Sequence, residues 1–216
     1  IDCTIENGEI FFVVAKGGTY TITDRTPAAP VTPVAPSKPA DKPDETKPTE
    51  TTYPDVQPTD WYYEAVEAVT EKGLMSGTDN GFEPNLATSR AMIWTVLARM
   101  DGKTVSGSGS EWYAAAQSWA SENGVSDGSD PNGRITREQF AAMLYRYALR
   151  QGRAGADAAA NFAGFADVES VSDWARDAMR WAVSSGVING IDGRLCPQGE
   201  ATRAQIATML QRYLEK

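Results

Sequence analysis

The 216-residue sequence contains no histidine, which removes the commonest general base and the commonest metal ligand together. Its two cysteines, Cys3 and Cys196, lie near opposite ends of the chain. They form no metal-type spacing, which argues against a zinc site. They read as two isolated thiols, with a disulfide tying the N-terminal segment to the end of the chain as the alternative. Apolar runs are short, and none approaches the roughly 18 residues needed to cross a bilayer, so no membrane insertion is expected. Positive charge is scarce: 20 Lys and Arg stand against 29 Asp and Glu, a net charge of −9. A nucleic-acid binder would carry a basic face instead. The chain opens on Ile1 with no charged region leading into an apolar core, so it reads as a mature segment or a piece of something longer.

What is present changes character along the chain. Residues 1–26 include the strand-like runs "EIFFVV" and "TYTIT" on either side of "KGG", a hairpin pattern. An isolated hairpin is marginal in water, so this segment is expected to be the β remnant of an upstream domain. Residues 27–52, "PAAPVTPVAPSKPADKPDETKPTETT", offer almost nothing to bury and predict a polyproline-like linker with a reach on the order of 80 Å.

From residue 53 the composition turns helical and repeats three times. Trp61, Trp112 and Trp174 are each followed after twelve residues by Gly73, Gly124 or Gly186, and after four more by Gly77, Gly128 or Gly190. Positions four and eight after each Trp are small or apolar, one face of an α-helix that the first Gly ends. A second helix follows in each unit, led by Arg90, Arg137 or Arg203. A proline stands six residues before each of these arginines (Pro84, Pro131, Pro197), and another arginine nine after (Arg99, Arg146, Arg212). The first and last units open on "YPDV" and "FADV"; the middle unit lacks this opening and has a shorter loop before its proline. The units span 53–104, 105–160 and 161–216.

These motifs resemble the S-layer homology family: an aromatic-x-Asp-Val opening, a Trp helix ending Gly-x-x-x-Gly, and a Thr-Arg-Ala-Glu-like start to a helix ending Met-Leu-x-Arg. Met92, Gln139 and Gln205 stand where that family's motif carries its acidic residue. The resemblance implies an all-α, pseudo-threefold bundle of three helix-loop-helix repeats. It further implies a module of secreted proteins on Gram-positive-type cell walls. There, grooves between repeats would bind secondary cell-wall polysaccharide, often through a pyruvate ketal on an amino sugar. A monomeric, non-catalytic anchor without cofactor or metal is expected.

The arginines carry a reading of their own. Ser89, Thr136 and Thr202 are suitable N-caps, which puts Arg90, Arg137 and Arg203 in the first helical turn, where the macrodipole disfavours a cation. A helix N-terminus with free N–H groups, joined to a guanidinium fork, suits a planar carboxylate. Surface solubility is the bland alternative. Arg137, on the degenerate middle unit, is expected to be the weakest of the three. With a negative chain, an anionic polymer must be recognised locally in a groove rather than steered from afar. As the resemblance implies, Asp55 and Asp167 would accept from sugar hydroxyls, or else they build turns. Trp61, Trp112 and Trp174 would stack on sugars, although their place on an apolar stripe favours core. Gly77, Gly128 and Gly190 supply backbone freedom and, in a groove, close approach of ligand to the main chain.

Three rival functions fit less well. "SDPNGRITREQF" is an incomplete calcium loop: Gly128 and Gln139 stand where carboxylates are needed at its ends. A two-carboxylate glycan-processing site could draw on Asp127 and Asp130, but no acidic position recurs with a pocket signature. A lattice-forming S-layer module is the third, and a long flexible linker suits tethering better.

Overall fold

The computed structural model describes residues 3–6, 9–13, 19–21, 53–105, 111–154 and 162–216; the expected linker at 27–52 lies outside them. The chain divides into two compact units. In the first, β1 (Cys3–Glu6), β2 (Glu9–Val13) and β3 (Thr19–Thr21) form an antiparallel meander in that order. β2 and β3 are the two runs read as a hairpin, with Phe11 opposite Thr21; β1 adds a further strand, with Cys3 opposite Phe12.

The second unit is all-α. Its helices are α1 (Tyr63–Glu71), α2 (Arg90–Met100), α3 (Ala114–Glu122), α4 (Arg137–Arg150), α5 (Arg176–Ser184) and α6 (Arg203–Leu214). Short 3-10 turns at Val168–Ser170 and Asp173–Ala175 lead into α5. Helices α1, α3 and α5 each stop at a glycine with φ near +65° (Gly73, Gly124, Gly186). The next residues then donate back into the last turn, as Leu74 N–H does to Val69 (2.9 Å) and Val125 N–H to Ala120 (2.9 Å). Helices α2, α4 and α6 start on the side-chain caps Ser89, Thr136 and Thr202; the last two complete capping boxes with Gln139 and Gln205.

The packing is cyclic. Each first helix lies against the second helix of the preceding unit: α3 on α2, α5 on α4, and α1 closing the ring on α6. Ala65, Val66 and Val69 bury α1's apolar face, and Ile206, Ala207 and Leu210 bury that of α6. Such side chains contribute roughly 1.5–3 kcal/mol each for the larger residues, so no unit has a complete core alone.

Backbone hydrogen bonds repeat the cycle at the centre. Thr88 N–H donates to Ala201, Ala201 N–H to Ile135 and Ile135 N–H to Thr88, all at 2.9–3.0 Å. Around them, the first two N–H groups of each second helix donate to the proline loop of another unit. Arg90 and Ala91 donate to Gly133 and Pro131; Arg137 and Glu138 donate to Gly199 and Pro197; Arg203 and Ala204 donate to Leu86 and Pro84. The recurring prolines thus mark carbonyls that cap a neighbour's helix. The middle unit's shortened loop takes its place in this ring like the other two.

Candidate site in the clefts between helical units

Those cap contacts overturn one premise of the sequence reading. The N–H groups that would make each helix start an anion site already serve backbone carbonyls and the capping hydroxyls. What remains is the guanidinium, and it too is first a structural group. Arg90, Arg137 and Arg203 each reach into the next unit and donate from Nε to the carbonyl two residues before its proline: Ser129 (2.8 Å), Leu195 (2.8 Å) and Phe82 (2.7 Å). Arg137 and Arg203 are only 5% and 7% exposed. Burial pulls both below the ordinary arginine pKa, yet a guanidinium keeps its charge at any physiological pH. Arg203 also donates from Nη2 to the Ser76 carbonyl (2.7 Å) and lies over the Phe82 ring (4.6 Å). Arg137, expected to be the weakest, makes the same inter-unit contact as its equivalents.

Two clefts open beside these arginines and share one plan. The first, of about 260 Å³, is lined by Arg90, Gln139, Met143, Arg146 and Trp174. The second, of about 280 Å³, is lined by the equivalent Arg203, Met92, Val96, Arg99 and Trp112. Each cleft therefore draws on all three units: an arginine from one, a helix face from the next and a tryptophan from the third. The equivalent set in the remaining position is Arg137, Gln205, Arg212 and Trp61. Arg99, Arg146 and Arg212 each donate from Nη1 to a carbonyl just past the first helix, at Leu74 (2.9 Å), Val125 (3.2 Å) and Val187 (3.5 Å). These second arginines were missed as site residues, although the constant nine-residue offset was their signal.

The tryptophans correct another expectation. Trp112 and Trp174 are 37% and 57% exposed and do not join the core; Trp61 is half-buried against Tyr62. The apolar stripe is filled by Trp119 and Trp181 instead. The aspartates favour the turn-building alternative. Both oxygens of Asp55 accept backbone N–H groups, from Phe82 (2.8 Å) and Glu83 (2.7 Å). Asp167 does the same with Leu195 (2.7 Å) and Cys196 (2.8 Å). They hold Glu83 and Cys196 at φ of 57° and 49°, and Cys196 carries a free thiol. Gly77 and Gly190 serve packing: a Cβ on either would strike the Tyr53 or Phe165 ring of the opening motif, and at Gly190 it would also come within 2.8 Å of the Arg194 carbonyl. At Gly128, with no opening aromatic, a Cβ would strike Ser121 Oγ.

Residues 52–91 and 164–207 match the profile of the S-layer homology domain. The two matches fall on the first and last units, the ones that carry the aromatic-x-Asp-Val opening. Similar proteins include an amylopullulanase of Thermoanaerobacterium thermosulfurigenes, 31% identical over 77% of this chain and 10% of its own length. The exoglucanase XynX of Acetivibrio thermocellus is 27% identical over 76% of the chain and 16% of itself. The S-layer protein sap of Bacillus anthracis is 28% identical over 74% and 21%. The chain thus spans between a tenth and about a fifth of the length of these curated relatives.

Proposed function

Because this chain belongs to the S-layer homology family, a family of cell-surface anchoring modules, we propose that residues 53–216 bind an anionic secondary cell-wall polysaccharide. The three units at 53–104, 105–160 and 161–216 act together, as a monomeric and non-catalytic anchor on a Gram-positive-type wall. The single observation that carries the reading is the cleft plan: two arginines and an exposed tryptophan lining one cleft, drawn from all three units. Guanidinium forks select a planar carboxylate, and the aromatic face takes the apolar side of a sugar ring. A pyruvate ketal on an amino sugar supplies both groups on one residue. Residues 27–52 would then act as the spacer between this anchor and whatever precedes it.

The experiment is retention of the fragment on purified cell-wall sacculi. Binding to sacculi that keep their secondary polysaccharide is expected, with at least about tenfold loss when Trp112 is replaced by Ala. Undiminished retention on peptidoglycan stripped of the polymer would overturn the assignment.

A further inference from the structure

The two clefts share a plan but not a charge. Beside Arg203, the Nη2 donor meets the neutral Ser76 carbonyl, and the lining carries two guanidiniums without a carboxylate. Thr88, 1% exposed, lines the same cleft, and its hydroxyl has no hydrogen-bond partner among the described residues. A buried polar atom left unpaired is costly, and a ligand oxygen there would relieve it. The corresponding residues in the other units are Ile135 and Ala201, so this donor belongs to one cleft alone.

Beside Arg90 the equivalent of Ser76 is Asp127. Its Oδ1 stands 2.6 Å from Arg90 Nη2, and the carboxylate is held there by Ser129 N–H (3.0 Å) and Ser129 Oγ (2.8 Å). The Ser129 hydroxyl, then its N–H, keep this carboxyl below the ordinary aspartate range despite partial desolvation, so it carries its charge at neutral pH. A carboxylate that docks on Arg90 would meet Asp127 on the same nitrogen.

We infer that Asp127 is an intramolecular occupant of the Arg90 cleft's carboxylate position, so this cleft rejects the anionic sugar that the Arg203 cleft accepts. The inference rests on the anchoring function proposed above and assigns it unequally between clefts. Of the equivalent residues Ser76, Asp127 and Asn189, only the middle unit's carries a carboxylate.

The test is titration of the full chain, with its tryptophan indoles followed by 15N NMR and assigned by single Trp→Phe variants. The probe is the methyl glycoside of N-acetylmannosamine carrying a pyruvate ketal. Trp112 Nε1 reports on the Arg203 cleft and Trp174 Nε1 on the Arg90 cleft. In the wild-type chain Trp112 is expected to shift at concentrations at least about tenfold below those that move Trp174. In Asp127→Asn, which keeps an acceptor for Ser129 N–H, and in Asp127→Ser, which restores the first unit's residue, both indoles should shift together. Equal titration in the wild type, or a Trp174 still silent in both variants while Trp112 responds, would overturn the inference alone. Silence of both indoles, and of Trp61 in the third position, in all three proteins would overturn the anchoring function as well.

Discussion

The arginine that begins each second helix is misplaced only when the helix is judged by itself. Arg203 spans from α6 to another unit's loop, satisfies the Phe82 and Ser76 carbonyls and stacks on a buried ring. Its position on the macrodipole costs a few tenths of a kcal/mol to about one; orphaning two carbonyls would cost more. Arg203→Ala should therefore lower unfolding stability by about 2–3 kcal/mol, read as a lower urea midpoint at unchanged slope. Arg90 pairs partly with exposed Asp127, whose side chain is 67% accessible. Its replacement by Ala should cost about 1 kcal/mol. Equal, negligible effects at both positions would return the arginines to surface decoration. This burial was not legible in the sequence, because both acceptor carbonyls lie more than 120 positions away in the chain. What was legible was the offset that places an arginine there three times.

At the scale of the element, the start of α5 depends on a charge from α4. Glu138 is 4% exposed and accepts from Ser172 N–H (3.0 Å) and Ser172 Oγ (2.8 Å), just ahead of the 3-10 turn that carries Trp174. The other units have Ala91 and Ala204 at this position, so the last unit alone is tied in this way. Glu138→Ala should destabilise the fold by about 1.5–3 kcal/mol, the range for a hydrogen bond to a charged group. It should also shift the Trp174 indole resonance while leaving that of Trp112 in place. If Trp174 does not move, the carboxylate does not position that turn. Helix limits and caps were readable from local signals, glycine at the stop and Ser or Thr at the start, because both ends are built from neighbours in sequence. The outward turn of Trp112 and Trp174 was not readable: both stand ahead of the first residue of α3 and α5, where a stripe of period 3.6 no longer fixes which way a side chain points.

At the scale of the whole molecule, closure of the ring makes one cooperative body of three units that each lack a complete core. Two tyrosines on its seams give that closure a pH limit. Burial, with help from the Asp60 hydrogen bond, pushes Tyr62 up to about 12, and burial with the Asp101 charge does the same to Tyr147. Both exceed the ordinary value of 10.0, so the folded state holds these protons more tightly than the unfolded chain. Their contribution is complete below pH 10 and is lost as pH rises toward 12. Melting temperature should accordingly fall across that window, less steeply in Tyr147→Phe; a flat profile would contradict the burial of these hydroxyls. The threefold plan was legible in repeated offsets. The handover of each helix to its neighbour's loop was not, since nothing local distinguishes a helix packed within its unit from one packed on the next.

The central claim is recognition of a carboxylate by arginines in clefts that only the assembled ring provides. Calorimetric titration of the full chain with purified secondary cell-wall polysaccharide, before and after selective hydrolysis of its pyruvate ketals, tests this most directly. Loss of at least about tenfold in affinity on removing the ketals is the expected result; equal affinity for the two polymers would contradict it.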